Sequence, residues 1–374
     1  MLKTLLIANR GEIAIRIARS AAEMGIATVA IFSEDDAQSL HTRKADKAVG
    51  LRGSGVAAYL DGAQIVALAG EAGCDAIHPG YGFLSENGDF ARACAAAGIV
   101  FVGPVPETLD LFGDKTKARA LAEKTKVPVL RGTAGGVSLD DAAKFLAAAN
   151  GPIMLKALAG GGGRGMRVVR TANELEQAFE RCRSEAQQAF GNGKLYAEEF
   201  FERARHIEVQ IVGDGTGAVS HLWDRECSLQ RQRQKLIESA PALGLPEKLR
   251  QRLLDAAISL GHASHYKNLG TIEFLVDADG SDRFAFIEAN PRLQVEHTVT
   301  EEVTGLDLVR IQLDIAGGLS LRDLHLEQKN VPSPRGTALQ ARVNLETMNA
   351  DGSSRPAGGT LSVYEPPSGR GVRV

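Results

Sequence analysis

Cysteine is scarce in this 374-residue chain: Cys74, Cys94, Cys182 and Cys227 are the whole complement, and no two form a C-x-x-C pair. That spacing argues against a cysteine-built metal cage or a disulfide framework and fits reduced thiols in a cytoplasmic protein. An excess of charge of one sign is also missing. Lys and Arg number 43 against 46 Asp and Glu, a formal net charge of −3, so nothing directs the chain to nucleic acid or to an anionic membrane. The N-terminal "LLIA" gives way to Arg10 and Glu12, too short a run for a signal peptide. No stretch approaches the roughly 18 apolar residues that span a bilayer. G-x-x-x-x-G-K-[ST] does not occur, which excludes a Walker-type phosphate loop.

What is present is a long alternation of strand and helix patterns. The length suits two or three domains, and 44% hydrophobic residues suffice for their cores. "TLLIAN", "GEIAIRIARSAAEMG" and "TVAIFS" read as strand, amphipathic helix and strand, a βαβ unit that implies a parallel sheet. "QIVALAGEAG", "AIHPG", "FARACAAAG" and "IVFVG" continue it, so 1–112 reads as a doubly wound α/β domain. A helix in 113–127 reads as a linker. Residues 128–203 read as a small inserted lid domain, and 204–374 as a strand-rich α+β body with a further C-terminal part.

Within the lid, "IMLKALAGGGGRGMRVVR" (153–170) sets four consecutive glycines after Lys156. Gly160, Gly162 and Gly165 satisfy G-x-G-x-x-G only because a glycine run does so by composition. A dinucleotide fingerprint leads into a helix, whereas "MRVVR" is strand-like. The loop therefore reads as the tip of a β-hairpin. Two readings stand: a flap whose backbone N–H groups cradle a phosphate, with Lys156 adding a point charge, or a plain surface hairpin.

In "GTIEFLVDADGSDRFAFIEANPRLQVEH" (270–297), two strand patterns flank Gly280 and Ser281, a suitable type II′ pair. With that turn, residues whose numbers sum to 561 face each other, and Glu273 plus Glu288 is 561. Their Cβ atoms would lie about 5 Å apart, where like charges destabilise a sheet unless a cation lies between them. Mg²⁺ with a nucleotide suits such a pair. A register slip of one or two residues would instead make the pairing accidental. Beyond it, Glu288, Asn290, Arg292, Gln294 and Glu296 alternate and would share one face of an extended chain. From Glu288 to Glu296 such a chain spans roughly 26 Å, so a bend at Pro291 would divide a metal end from a substrate end. Arg292 suits a small anion and Glu296 a general base, although a solvated strand edge reads the same way.

Taken together, "LIANRGEIAIRI", "IHPGYGFLSEN", "GGGGRGM", "HIEVQI" and "EANPRLQVEHTVTE" resemble, in order and over essentially the whole chain, the biotin carboxylase component of biotin-dependent carboxylases, in the ATP-grasp superfamily. The resemblance implies an ATP-grasp body with a lid, and a ligase that turns ATP and bicarbonate into ADP and carboxyphosphate. Carboxylation of biotin N1 on a carrier protein follows. It implies phosphate contacts from Lys115, Lys156 and the flap residues Gly161, Gly162 and Gly163, and an adenine lining of Met166, Glu198, Glu199 and Phe201. His206 and Gln230 would lie near the ribose. Glu273, Glu288 and Asn290 would hold Mg²⁺ or Mn²⁺. Lys235, Arg292, Gln294 and Val295 would form the bicarbonate pocket, with Glu296 the base. Arg342 would stabilise the biotin enolate, and Tyr81 would lie on the biotin side. The implied partners are a biotin carboxyl carrier protein or domain, a carboxyltransferase and a second copy of the chain, through Arg19 and Glu23.

Three features depart from that pattern. "QRQRQK" (230–235) has Gln232 and Arg233 where Q-R-R-H-Q-K is usual, Arg370 stands where an aromatic is frequent, and Val374 falls several tens of residues short of the usual end. The expectation is a truncated C-terminal domain from a larger polypeptide. The alternatives are another ATP-grasp carboxylate ligase, such as a carbamoyl-phosphate or purine-pathway enzyme, and an inert nucleotide-binding fragment.

Overall fold

The apolar runs at the front of the chain form a parallel sheet: β1 (Thr4–Ile7), β2 (Ala27–Phe32), β3 (Lys47–Gly50), β4 (Ala76–His78) and β5 (Val100–Phe101), in the order β3-β2-β1-β4-β5. Helices follow the strands because the period changes from two to 3.6. In Gly11–Glu23 the residues Ile13, Ile17 and Ala21 make one stripe, and it packs with Leu5 and Ile7 of β1. Leu6, Val29, Ile31 and Ile77 point to the other side, against Ile65 and Phe90. The sheet is thus covered on both faces, as parallel strands require. The computed structural model describes residues 2–133, 135–149, 151–158, 165–231, 234–278, 280, 282–358 and 361–374.

A helix, Lys115–Lys124, leads onward; Asp114 caps it by accepting from the Thr116 and Lys117 amides at 2.9 and 3.1 Å. Three antiparallel strands follow: β6 (Ile153–Ala157), β7 (Met166–Val169) and β8 (Leu195–Glu199), ordered β7-β6-β8. Helices Leu139–Ala148 and Ala172–Phe190 cover them through Leu155, Val169, Phe179 and Leu195.

The largest sheet has the order β13-β12-β9-β10-β11-β14, from β9 (Ala204–Asp214), β10 (Val219–Arg231), β11 (Gln234–Ala240), β12 (Lys267–Asp277), β13 (Phe284–Asn290) and β14 (Ala338–Ala341). Strand parity decides its two faces. Ile207, Val209 and Ile211 of β9 and Ile272, Phe274 and Val276 of β12 face a core with Leu253, Leu254 and Leu260 of helix Glu247–Ala263. Phe274, wholly buried, meets Phe284 and Phe286 edge-on at centroid distances of 5.6 and 6.4 Å, and burying such a ring is worth about 2–3 kcal/mol. The opposite face carries His206, Glu208, Gln210, Thr271 and Glu273.

The β12–β13 ladder differs from a uniform hairpin. Val276 pairs with Phe284 and Phe274 with Phe286, but Glu273 pairs with Glu288. Ile287 is therefore a one-residue bulge on β13. It lets Phe284 and Phe286 enter the core while Glu288, of the same parity, turns to the polar face.

Residues 1–340 form one unit and 341–374 a second. The second contains the short hairpin β15 (Glu346–Met348) and β16 (Ser354–Pro356), closed by the Asn349 amide donating to the Ser353 carbonyl at 2.8 Å. Among the described residues no helix is long and apolar enough to cross a membrane. All four cysteines are buried and free.

Candidate active site

Four neighbouring strands set charges in one lateral row. Glu288 of β13 pairs with Glu273 of β12, Glu273 with Glu208 of β9, and Glu208 with Arg225 of β10. Glu208 and Arg225 are fully buried and Glu273 nearly so. Like charges opposite one another are unfavourable, and the row holds because cations are interleaved. Arg225 donates from Nε to Glu208 Oε1 at 2.5 Å. The Lys235 ammonium, on β11, lies 2.7 Å from Glu208 Oε2, 3.2 Å from Glu273 Oε1 and 2.6 Å from Glu296 Oε1. The His206 ring meets Glu273 Oε2 at 2.7 Å.

These contacts decide the protonation states. Burial alone would raise the Glu273 and Glu208 carboxyls. The charges of Lys235 and Arg225 on Glu208, and of Lys235 with the His206 bond on Glu273, outweigh it and hold both below the usual carboxylate range. Burial pulls Lys235 down, but its three carboxylates raise it well above an ordinary lysine. His206 is likewise raised, its bond to Glu273 overcoming burial. Glu288 goes the other way: although its side chain reaches solvent, the protein packed around its carboxyl, then repulsion from Glu273, raises it, with Lys115 partly opposing. Two groups of side chains have metal-ligand spacing among the described residues, His206–Glu208–Glu273 and Glu208–Cys227–Glu296. Both include carboxylates that already grip the Lys235 ammonium.

After Asn290 the chain leaves the strand. Pro291 supplies no N–H, the Arg292 amide turns back to the Asn290 carbonyl at 2.8 Å, and Glu296 becomes the N-cap of helix His297–Thr304. The alternating residues therefore do not stay on one extended face. The turn brings Glu296 back to the same ammonium that holds Glu273, so the expected separation into two distant ends does not occur. Asn290 donates to Glu273 Oε1 at 2.8 Å and accepts from Arg292 Nη2 at 2.9 Å. Gln294 donates to Glu273 Oε1 at 2.8 Å. Arg292 Nε reaches across to Glu86 at 2.5 Å. Val295, half-buried, precedes Glu296 in the turn. Gln230 lies 2.9 Å from the other ring nitrogen of His206.

On the three-stranded sheet, Lys156 forms an ion pair with Glu198 and stands opposite Met166 on one side and Tyr196 on the other. Glu199 pairs with Arg131 at 3.0 Å, and Phe201 lies under the Arg283 guanidinium at 5.1 Å. Lys115 is solvent-facing on the first turn of its helix. Tyr81 packs at the margin of the front core. Gly161, Gly162 and Gly163, like Gln232 and Arg233, lie outside the described residues. Arg342 and Arg370 belong to the second unit.

Comparison with known proteins places this geometry. Residues 1–109 match the model of the biotin carboxylase N-terminal domain, and residues 114–324 that of the carbamoyl-phosphate synthase L chain ATP-binding domain. The crystal structure of a biotin carboxylase–βγ-ATP complex from Campylobacter jejuni superposes with a TM-score of 0.92 at 42% identity, over 100% of this chain and 82% of that one. The chain belongs to the biotin carboxylase family. The biotin carboxylase domain of Hydrogenobacter thermophilus 2-oxoglutarate carboxylase, a dimer in complex with MgADP, ADP and bicarbonate, matches with a TM-score of 0.91 at 40% identity, over 100% of this chain and 81% of that one. Pyruvate carboxylase of Aspergillus terreus is 50% identical over 99% of this chain and 31% of its own length. That of Staphylococcus aureus is 49% identical over 100% and 32%. The chain thus spans about a third of these curated relatives. With them, the α/β front, the α+β ATP-grasp body and the lid read from the sequence are the family's fold.

Two residues of the row, Glu208 and Arg225, were not singled out in the sequence. The signal for the first lies in "HIEVQI": His206, Glu208 and Gln210 alternate with apolar residues that belong to the core. Arg225, in "WDREC", has no periodic signal, because β10 is irregular between His221 and Asp224.

Proposed function

We propose that the chain catalyses ATP- and bicarbonate-dependent carboxylation of biotin on a carrier protein or domain, through carboxyphosphate. The observation that supports it most is the Lys235 ammonium joining Glu296 to Glu273: a candidate base and a candidate metal ligand share one half-buried cation. Bicarbonate must give up its proton to attack phosphorus, and Glu296 is the carboxylate assigned to take it. Lys235 and Arg292 offset the repulsion between the two anions. The bicarbonate oxygen bonds to the γ-phosphorus, the bond to ADP breaks, and carboxyphosphate forms. The carboxyl carbon then bonds to biotin N1, phosphate leaves, and the N1 proton ends on phosphate. Arg342 is the residue we assign to the ureido oxygen, where negative charge develops.

Magnesium, or manganese, would be held with the nucleotide by Glu273, Glu288 and Asn290, and the residues fit it. Glu288 faces solvent and carries no hydrogen bond among the described residues, and it stands directly opposite the Glu273 carboxylate, a like-charge pair that a divalent cation would relieve. Glu273 pairs with it, and Asn290 lies beside them. The ion would neutralise phosphate oxygens. Lys115, Lys156 and the 161–163 glycines are assigned to the phosphates, Met166, Glu198, Glu199 and Phe201 to adenine, and His206 and Gln230 to ribose. Gln294 and Val295 belong to the bicarbonate pocket and Tyr81 to the biotin side. We divide the chain into a front domain 1–112, linker 113–127, lid 128–203, and body with C-terminal part 204–374. A carboxyltransferase would consume the product. A second copy would dock on the exposed Arg19 and Glu23, and buried thiols suit the cytoplasm.

The test is bicarbonate-dependent ADP formation, with and without free biotin, in the protein and in Glu296→Ala. Loss of turnover with nucleotide binding kept supports the assignment. Hydrolysis indifferent to bicarbonate, or an unimpaired variant, refutes it.

A further inference from the structure

Arg225 has no part in that scheme, yet its guanidinium is the most highly connected group in the row. It is 0% exposed, and each of its five N–H groups has an acceptor. Nε meets Glu208 Oε1 at 2.5 Å. Nη1 meets Gln210 Oε1 at 2.7 Å and Thr300 Oγ1 at 3.0 Å, and Nη2 meets Gln294 Oε1 at 2.8 Å and Thr271 Oγ1 at 3.1 Å. None of these acceptors is a backbone carbonyl, so the arginine satisfies no main-chain group. A buried ion pair is also a poor way to stabilise a sheet, since well-packed apolar residues commonly do as well or better.

Two of its contacts reach the groups assigned to bicarbonate. Gln294 has one carboxamide oxygen, and Arg225 holds it. The amide nitrogen must then turn the other way, where it donates to Glu273 Oε1 at 2.8 Å. Rotating that amide by 180° would set its N–H₂ against the guanidinium and its oxygen against the Glu273 carboxylate. Glu208 is divided likewise: one oxygen binds Arg225 and the other Lys235 at 2.7 Å. Without the arginine, the whole Glu208 charge would fall on Lys235 and reduce the positive field available to an anion.

We propose that Arg225 is a positioning residue for bicarbonate: it aims the Gln294 amide and holds Glu208 so that Lys235 keeps its positive field, without touching a reactant. The proposal rests on the functional reading above. A lysine at this place keeps the charge but cannot serve five acceptors in the plane of a guanidinium.

The experiment compares the protein with Arg225→Lys and the near-isosteric Thr300→Val, measuring steady-state ADP formation against bicarbonate and against ATP, with circular dichroism as a check on folding. In Arg225→Lys the KM for bicarbonate should rise about tenfold or more, with the KM for ATP held within about twofold. Thr300→Val, which removes one anchor of the guanidinium, should shift the bicarbonate KM in the same direction by about threefold, and it decides the matter if Arg225→Lys does not fold. An unchanged bicarbonate KM, or equal losses toward both substrates, overturns the role of Arg225 and leaves the functional reading intact. Unsubstituted protein without bicarbonate-dependent cleavage overturns both.

Discussion

Replacing Lys235 with methionine tests the electrostatic account of the site where it is most exposed to failure. The ammonium lies 2.6–3.2 Å from three carboxylates, each contact worth about 5–6 kcal/mol in gross Coulomb energy at an effective dielectric constant near 20. Desolvation cancels most of that. Glu208 keeps Arg225, and Glu273 keeps His206, Asn290 and Gln294. The net cost of stranding buried charge is then about 3–5 kcal/mol. With an unfolding entropy of about 2.1 cal/mol/K per residue, and unit 1 spanning residues 1–340, the melting temperature should fall by about 4–7 °C. The pH dependence supplies the sign. In the intact site Glu208 and Glu273 are depressed, so their contribution is present above the unfolded carboxylate pKa and is lost only as the pH drops through their low folded values. With Lys235 gone, burial and mutual repulsion raise the carboxylates. Their native state then binds extra protons, and stability is lost as the pH climbs through the raised values. The gap between the two proteins should therefore be smallest near pH 5 and widest near pH 8, and Lys235→Met/Glu296→Gln should recover part of it. Parallel melting curves across that range, or an unchanged midpoint, would refute the reasoning.

Glu288→Gln should leave the divalent-free protein slightly more stable, by less than about 1 kcal/mol, since it removes a like charge opposite Glu273. It should also abolish any further rise in melting temperature when Mg²⁺ is added with nucleotide. Burial pushes His221 down to about 4 and His78 to about 3. Stability should therefore decline as the pH falls from about 6.5 toward 4, with His221 contributing about 3 kcal/mol and His221→Phe keeping only the His78 part of the slope in thermal melts. Asp36 is held far below the usual range by its bond to Arg10, aided by Ser39 and Tyr59. Asp36→Asn should cost about 1–3 kcal/mol near neutrality, a difference in denaturant midpoint that shrinks below about pH 4.

The parallel front sheet was legible because the apolar runs of β1, β2 and β4 alternate with helical stripes at the right period. The carboxylate pair was legible for a less direct reason. A two-residue turn at Gly280 and Ser281 implies one constant sum, 561, along the hairpin. The described ladder instead runs at 560 from Val276 to Phe274, with the Asp277 amide bonded to the Arg283 carbonyl, and Ser281 itself lies outside the described residues. The Ile287 bulge then restores 561 at Glu273 and Glu288. The conflict was visible in "RFAFIEAN": Phe284, Phe286 and Glu288 have one parity, and a core aromatic and a solvent-facing carboxylate cannot share a face unless an extra residue intervenes. The meeting of Glu296 with Glu273 was not legible, because it depends on a turn after Pro291 and on a lysine from a different strand. Arg225 was hidden for a similar reason. Its partners come from β9, β12 and the segment after β13, and no local spacing records such a convergence.

That convergence bears on why a sheet retains such a row. The apolar face of β9, β12 and β13 already carries the packing, through cross-strand pairs such as Ile207 with Phe274 and through the helix behind them. Nothing on the polar face is needed to bury hydrophobic area, and three glutamates abreast weaken the sheet unless cations compensate them. The compensation is uneven: Glu208 has two cationic partners, Glu273 has Lys235, His206 and two amides, and Glu288 has none bonded to it among the described residues. A charge deficit thus lies at the solvent-facing end of the row, while its buried end is neutralised by side chains on rigid strands. That gradient orders the site before any ligand arrives: a divalent cation is drawn first to the unbonded Glu288, with Glu273 beside it on the ladder, and not to Glu208, which lies one strand deeper between two cations. If Glu208→Gln abolished metal-dependent stabilisation while Glu288→Gln preserved it, the gradient would run the other way and the assignment of the two ends would have to be reversed.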